Sequence, residues 1–138
     1  MIVLDASVVL KWIFDDEDGG EQAASLKDAH VAGHEIVAAP DLLFYEIGNV
    51  LATKTRLSEA AIAEAFSLLW DFSLERFDLG LEEFQGGLVL SRKYKISLYD
   101  AAYVELSRRL KCPFVTADRK LYEKVKSIKS VELLGVIR

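Results

Sequence analysis

The sequence predicts an α/β fold in which helices cover both faces of a central five-stranded parallel sheet. Short apolar runs, several rich in β-branched residues, recur along the chain, and segments with the apolar spacing of helices lie between them. Strands that alternate with helices form βαβ units, whose parallel sheet is flanked by helices. The pattern therefore predicts an α/β/α sandwich.

The first strand is predicted at Ile2–Leu4, a β-branched apolar run typical of a buried strand. Ser7–Phe14 has helical spacing of its apolar residues. The acidic stretch Asp15–Glu21 contains two glycines and is predicted to be a loop, followed by a helix to about Ala32.

The second strand is predicted at Glu35–Ala39. Pro40 suits the first turn of the next helix, which runs to about Thr53. Ser58 is a favourable N-cap for the helix Ala60–Phe72.

The rest of the chain continues the alternation of strands and helices. Strands are predicted at Glu75–Leu79, Pro113–Val115 and Val131–Leu133, and helices at Leu81–Tyr94, Leu98–Leu110 and Arg119–Val125. Right-handed crossovers favour a sheet with the first strand in the middle, beside the fourth. The second and third strands then lie on one side and the last on the other. This order places a topological switch point between the first and fourth strands, where ligands bind in α/β proteins.

The chain has 138 residues, 51% hydrophobic and 28% charged, which suits one globular domain over residues 1–138. Its apolar runs are too short to span a membrane, and Met1–Asp5 lacks the features of a signal peptide. A single cysteine, Cys112, indicates a reducing, cytoplasmic location and is predicted to be a core residue. His30 and His34 give no zinc-type spacing.

The net charge of −5 is unevenly distributed. Residues 1–91 carry 5 Lys and Arg against 17 Asp and Glu, whereas residues 92–138 carry 12 against 5. The asymmetry is compatible with an acidic site facing a basic nucleic-acid platform, and equally with solvated helix faces. Eight basic residues flank the segments around residues 100 and 118: Arg92, Lys93, Lys95, Arg108, Arg109, Lys111, Arg119 and Lys120.

Four acidic residues are candidates for one shared site. Asp5 directly follows the first strand, and Asp118 follows the fourth by a few residues. Asp100 begins the helix that leads into the fourth strand, and Glu46 interrupts a largely apolar stripe inside its helix. Helix starts at the carboxyl edge of a parallel sheet point toward one crevice, so we expect these side chains to meet at the switch point. A buried carboxylate there needs a cation, a proton or a partner.

Each aspartate also has a purely structural interpretation. Asp5 and Asp118 precede helices and are favourable N-caps, and Asp100 completes a capping-box pattern with Ser97. No cap explains Glu46, for which the alternative is an exposed helix position. Taken together, the four acids favour a metal site over separate helix caps, because converging acids repel one another unless divalent cations lie between them.

Carboxylate oxygens suit Mg²⁺ or Mn²⁺ rather than zinc. Metals held in this way, with open positions for phosphate oxygens, support phosphodiester hydrolysis. Ser7 and Thr116 could add hydroxyl ligands or hold waters, and Asn49 could fix the carboxylate of Glu46, one turn earlier. Caps, turns and exposed positions are the alternative roles of these three residues.

Four segments together resemble the PIN domain family, and more closely its VapC-type toxins. They are Ile2–Ser7, Tyr45–Leu51, Ile96–Tyr103 and Phe114–Asp118, and the resemblance extends over essentially the whole chain. It implies a PIN-like α/β/α sandwich and Mg²⁺- or Mn²⁺-dependent cleavage of single-stranded or loop regions of structured RNA. It further implies that the catalytic, metal-binding acids are Asp5, Glu46, Asp100 and Asp118, supported by Ser7, Asn49 and Thr116.

The same resemblance implies a homodimer and an antitoxin, whose tail lies over the active site and offers it a basic residue. The helix Ala60–Phe72 is apolar almost all round. This composition predicts a core helix first, and a dimer or antitoxin surface second.

Other functions stay open at this point. A PIN-like nuclease could process RNA, or act on DNA, without an antitoxin. A phosphatase with an aspartyl nucleophile commonly has a second acid two residues later, where this chain has Ser7. In a non-catalytic binding module, the acids would serve as helix caps.

Overall fold

Five short strands form one parallel sheet in the computed structural model, which describes residues 1–14 and 19–135. The strands are β1 (Ile2–Leu4), β2 (Val37–Pro40), β3 (Glu75–Phe77), β4 (Phe114–Thr116) and β5 (Val131–Leu133). Their order across the sheet is β3-β2-β1-β4-β5. All four pairings are parallel, which confirms the predicted strand order and the switch point between β1 and β4.

Seven helices connect these strands within the described ranges. They are α1 (Ala6–Ile13), α2 (Gly20–Val31), α3 (Leu42–Thr53), α4 (Glu59–Asp71), α5 (Leu81–Tyr94), α6 (Leu98–Leu110) and α7 (Arg119–Val125). Right-handed crossovers put α1 to α4 on one face of the sheet and α5 to α7 on the other, in agreement with the helix contacts. The predicted α/β/α sandwich is therefore confirmed.

The core is centred on β1, whose three residues are completely buried because helices cover both faces of the strand. Helices α1 and α3 add their apolar faces, including Val8, Val9, Ile47 and Leu51. This packing fixes the carboxyl end of β1, where the first candidate acid lies.

The prediction that Pro40 lies in the first turn of a helix is wrong. Pro40 ends β2 and pairs with Phe77 of β3, and the next amide, Asp41 N, donates to the Phe77 carbonyl at 3.3 Å. Pairing with β3 therefore extends β2 one residue beyond its predicted end at Ala39, and α3 begins only at Leu42.

The predicted loop Asp15–Glu21 is shorter than expected at its carboxyl end. Residues 15–18 lie outside the described part of the chain. Gly19 has a φ of 79°, a left-handed conformation that favours glycine, and α2 begins at Gly20. Glu21 is thus helical.

The expectation that α4 is a core helix is also wrong. Only Leu69 of this helix is buried, whereas Leu68 and Trp70 are 46% and 54% exposed. The helix packs by one edge, through Phe66 and Trp70 against Phe44 of α3. Its exposed side is mixed, with Glu64, Ser67 and Asp71 beside Leu68.

Candidate active site

Asp5 lies between β1 and α1, and hydrogen bonds hold its carboxylate on both oxygens. Oδ1 accepts from the Ser7 amide at 3.1 Å and from the Ser7 hydroxyl at 2.5 Å. Oδ2 accepts from the Thr116 hydroxyl at 2.6 Å. The side chain is buried, with 6% exposure. Asp5 therefore caps α1, as its structural interpretation predicted, and faces β4 at the same time.

Ser7 and Thr116 join the turns that follow β1 and β4. Their hydroxyl oxygens are 3.3 Å apart, and each also accepts a backbone amide: Ala117 N at Ser7 and Asp118 N at Thr116. Both hydroxyls donate to Asp5, so they orient that carboxylate. The two residues thus lie where supporting polar groups are predicted.

Glu46 is held by a residue that the sequence analysis missed. The Tyr103 hydroxyl donates to Glu46 Oε1 at 2.5 Å, across from α6 to α3. Tyr103 is 1% exposed, and its ring stacks on Phe114 with centroids 5.7 Å apart. Asn49, the predicted partner of Glu46, is exposed and is not brought to this bond. The sequence feature that could have indicated Tyr103 is its position one helical turn after Asp100, on the same side of the predicted helix.

Asp100 lies in the first turn of α6, and Asp118 directly precedes α7. The Asp100 amide donates to the hydroxyl of the N-cap Ser97 at 3.0 Å. Asp118 is itself an N-cap, and its Oδ1 accepts from Leu121 N at 3.1 Å. The prediction that Asp118 caps a helix is confirmed. The cap uses Oδ1, and Oδ2 could still bind a cation.

Electrostatic interactions link the four acids through Asp100. Burial raises the pKa of Asp5 to about 6, against the hydrogen bonds from Ser7 and Thr116, and the charge of Asp100 adds to the rise. Burial also raises the pKa of Glu46, with a further contribution from Asp100. The charge of Asp100 thus acts on both Asp5 and Glu46.

The pKa of Asp100 itself is raised by burial and, in addition, by the charge of Asp118. A hydrogen bond from Ser97 and the positive charge of Lys124 act in the opposite direction. Lys124 Nζ also donates to the Lys95 carbonyl at 3.1 Å, which fixes a cation near the crevice. Asp100 therefore interacts electrostatically with each of the other three predicted acids and with Lys124.

The donor atoms in the crevice are hard carboxylate and hydroxyl oxygens, which suit Mg²⁺ or Mn²⁺. Within residues 1–14 and 19–135, no three His, Cys, Asp or Glu side chains form a ready-made metal cage. Magnesium does not need one, because it keeps several waters and binds through one or two carboxylates together with substrate phosphate. The residues present fit such an ion.

The predicted basic residues do not all face this crevice. Arg109 of α6 donates to Glu83 of α5 at 2.7 Å, which forms an ion pair between the two helices. Arg108 donates to Glu105 at 3.3 Å, which forms an ion pair within α6. Lys124, which the sequence analysis did not single out, acts on Asp100.

Cys112 packs against the core from a partly buried position. Burial raises the pKa of its thiol, which makes the thiolate scarce and the side chain a poor nucleophile. None of the helices in the described ranges is long and apolar enough to pass through a lipid bilayer.

An apolar groove opens beside the acids, between the start of α3 and the pair α5 and α6. Its volume is about 610 Å³. Leu42, one turn before Glu46, lines it, as do Tyr99 and Ala102, which lie on α6 around Asp100. Tyr99 is 62% exposed. The groove thus adjoins two of the four acids.

Residues 2–127 match the PIN domain family. The chain is 29% identical over 127 residues to Ribonuclease VapC3 of Pyrobaculum aerophilum, and the alignment covers 89% of this chain and 93% of that protein. Its fold resembles the crystal structure of PAE2754 from the same organism, with a TM-score of 0.71 and 20% identity over 96% of this chain and 88% of the other.

A toxin-antitoxin complex from Klebsiella pneumoniae has a similar chain, with a TM-score of 0.70 and 14% identity over 96% of each chain. At these identities the structural similarities establish the fold, and the family match covers most of the sequence. The resemblance on which the sequence analysis relied is confirmed, and this chain belongs to the PIN domain family.

Proposed function

We propose that this chain is a metal-dependent endoribonuclease with Asp5, Glu46, Asp100 and Asp118 as its catalytic, metal-binding acids. The observation that carries the proposal is the geometry of Asp5 at the switch point between β1 and β4, where hydroxyls of Ser7 and Thr116 hold its buried carboxylate. Acids gathered in one crevice at an energetic cost are typical of a functional site. Residues 1–138 would act as one nuclease domain.

The carboxylates would hold Mg²⁺ or Mn²⁺, which activates water and neutralises charge on the phosphate during hydrolysis. Ser7 and Thr116 fix the direction of the Asp5 carboxylate, because each donates a hydroxyl proton to one of its oxygens. Ser97 holds the first turn of α6 and with it the position of Asp100. For Asn49, which is exposed, a supporting role is proposed from the family resemblance alone.

RNA is the proposed substrate because the curated relative is named a ribonuclease. The cytoplasm, where RNA is abundant, is the compartment that this substrate implies. The Lys124 ammonium at the edge of the crevice supplies positive charge that could contact a phosphate of the strand.

We further propose that the chain is the toxin of a VapBC-type pair, with a cognate antitoxin as its partner. The support is the similarity to a chain in a toxin-antitoxin complex and the apolar groove beside Glu46 and Asp100. A basic, amphipathic antitoxin segment would bury its apolar side in the groove and place a cation among the acids. A homodimer is proposed for the toxin itself.

The test is cleavage of a structured RNA by the purified chain, with Mg²⁺ or Mn²⁺ and with EDTA. Discrete products that require the metal are expected from the wild type. Asp100→Asn should lose cleavage by at least about 100-fold, because an amide removes the charge around which the acids are coupled. Asp28→Asn, the same change at an exposed position of α2, should cleave like the wild type.

Two outcomes would contradict the proposal. Cleavage by Asp100→Asn at the wild-type rate would remove this residue from the mechanism. A wild-type chain that neither cleaves RNA nor binds the metal in calorimetry would instead favour the non-catalytic binding module.

A further inference from the structure

We propose that Tyr103 is a positioning residue of the active site, whose hydroxyl fixes the Glu46 carboxylate in its working orientation. The inference rests on the proposed function, because it takes Glu46 to be a metal-binding acid. It concerns a residue that the family resemblance did not single out and that lies beneath the crevice.

The contact has the features of a strong hydrogen bond. Its donor and acceptor atoms are 2.5 Å apart, and the acceptor is a carboxylate, so the bond is charge-assisted. Glu46 is half-buried, which reduces competition from water. A glutamate has three rotatable side-chain bonds, and a fixed donor at Oε1 selects one orientation among them.

The donor is itself immobile. Tyr103 is 1% exposed, and its ring lies nearly parallel to that of Phe114 in β4, with an interplanar angle of 13°. The ring is therefore held by the core of the protein rather than by the contact with Glu46. This arrangement means that the hydroxyl directs the carboxylate, and not the reverse.

The hydrogen bond from Tyr103 reaches Oε1 of Glu46 and leaves the second carboxylate oxygen, Oε2, without this donor. A phenol carries one proton, so it engages one carboxylate oxygen. Tyr103 therefore engages Oε1, and Oε2 is the oxygen that would be available to hold a cation.

A purely structural role does not require this pairing. A phenylalanine would stack on Phe114 equally well and would need no buried partner for a hydroxyl. Tyr103 instead places its hydroxyl on an acid of α3, while Asp100 lies one turn earlier on the same helix α6. Helix α6 thereby fixes two of the four acids relative to each other.

The experiment is Tyr103→Phe, which removes the hydroxyl and keeps the ring. We expect the affinity for Mn²⁺, measured by calorimetry, to fall at least about 10-fold, as is typical when a group supporting a metal ligand is lost. The kcat for RNA cleavage should fall more than KM rises. Circular dichroism should show an unchanged fold.

Tyr94→Phe is the matched control, because Tyr94 is a partly buried tyrosine of α5 that packs against the core. Its affinity for Mn²⁺ should equal that of the wild type. Glu46→Gln should weaken the metal by itself, and adding Tyr103→Phe to it should cause no further loss.

The possible results separate the two proposals. If the wild type binds Mn²⁺ and cleaves RNA, and Tyr103→Phe does both equally well, the positioning role is refuted and the nuclease stands. Additive losses in the double variant would refute it as well. If the wild type neither binds Mn²⁺ nor cleaves RNA, the proposed function fails and the inference fails with it.

Discussion

At the scale of single residues, Asp5 combines a helix cap with the position that the proposed acidic site requires. Its Oδ1 caps α1 through the Ser7 amide, and its Oδ2 is held by Thr116 of β4. The sequence offered these as alternative interpretations. The geometry combines them, because the amino end of a helix that follows a parallel strand points toward the switch point.

The burial of Asp5 predicts an unusual dependence of stability on pH. Its pKa is about 6 in the fold and 3.8 ordinarily, so the folded chain binds more protons between these values. The contribution of Asp5 to stability is therefore fully present below pH 3.8 and is lost as the pH rises through 6. Above that pH, the buried charge costs up to about 3 kcal/mol without metal.

We therefore expect Asp5→Asn to be more stable than the wild type at pH 7 in EDTA, by about 1–3 kcal/mol. The difference should shrink as the pH falls toward 4. Urea unfolding of both proteins across this range measures it, and comparing the two cancels the titration of other groups. A difference that is independent of pH, or a less stable variant at pH 7, would contradict the prediction.

The sequence indicated Ser7 and Thr116 as supporting groups, but it indicated neither Tyr103 nor the individual hydrogen bonds, for a physical reason. Strand ends and helix starts are local features, and they mark Asp5, Asp100 and Asp118. The bonds that orient the acids join distant positions: Tyr103 is 57 residues from Glu46, and Thr116 is 111 from Asp5. Such partners depend on the strand order and the helix phase together.

At the scale of elements, His30 links three parts of one face. Its Nδ1 accepts from the Val37 amide of β2 at 3.1 Å, so the neutral ring must carry its proton on Nε2. That nitrogen lies 2.7 Å from the carbonyl of Phe72, at the end of α4, and donates to it. His30, which has no zinc-type spacing in the sequence, thus connects α2 to β2 and to the end of α4.

Replacing His30 by leucine should destabilise the protein by about 1–3 kcal/mol, because two backbone groups lose their partner while the bulk of the side chain remains. His34→Leu is the control, since His34 is exposed. Urea denaturation measures both variants. Equal stability of His30→Leu and the wild type would mean that water replaces the ring nitrogens at both groups.

The elements themselves were largely predictable, and the errors lie at their ends. The helix α6 was predicted at Leu98–Leu110 and is found there, because its capping serine and its apolar face are both local signals. Pro40 was assigned to a helix because proline suits a first turn. Its actual place at the end of β2 depends on pairing with Phe77, which no local pattern reveals.

At the scale of the whole molecule, an exposed apolar stripe on α5 is the surface that we expect a partner to cover. On α5, Leu81, Phe84 and Leu88 lie on one helix face and are 73%, 48% and 54% exposed. The spacing of three and then four residues is the pattern of a helix side that packs against another element. Phe84 also lines the apolar groove, so the stripe continues toward the acids.

We expect this stripe to form the interface of the proposed homodimer. Leu88→Glu should turn the dimer into a monomer in sedimentation experiments, because it would bury a charge between two copies. Val31→Glu is the control, since Val31 is 68% exposed on α2, and this variant should stay dimeric. A dimeric Leu88→Glu would exclude this stripe as the interface, whereas a monomeric wild type would leave the stripe to an antitoxin.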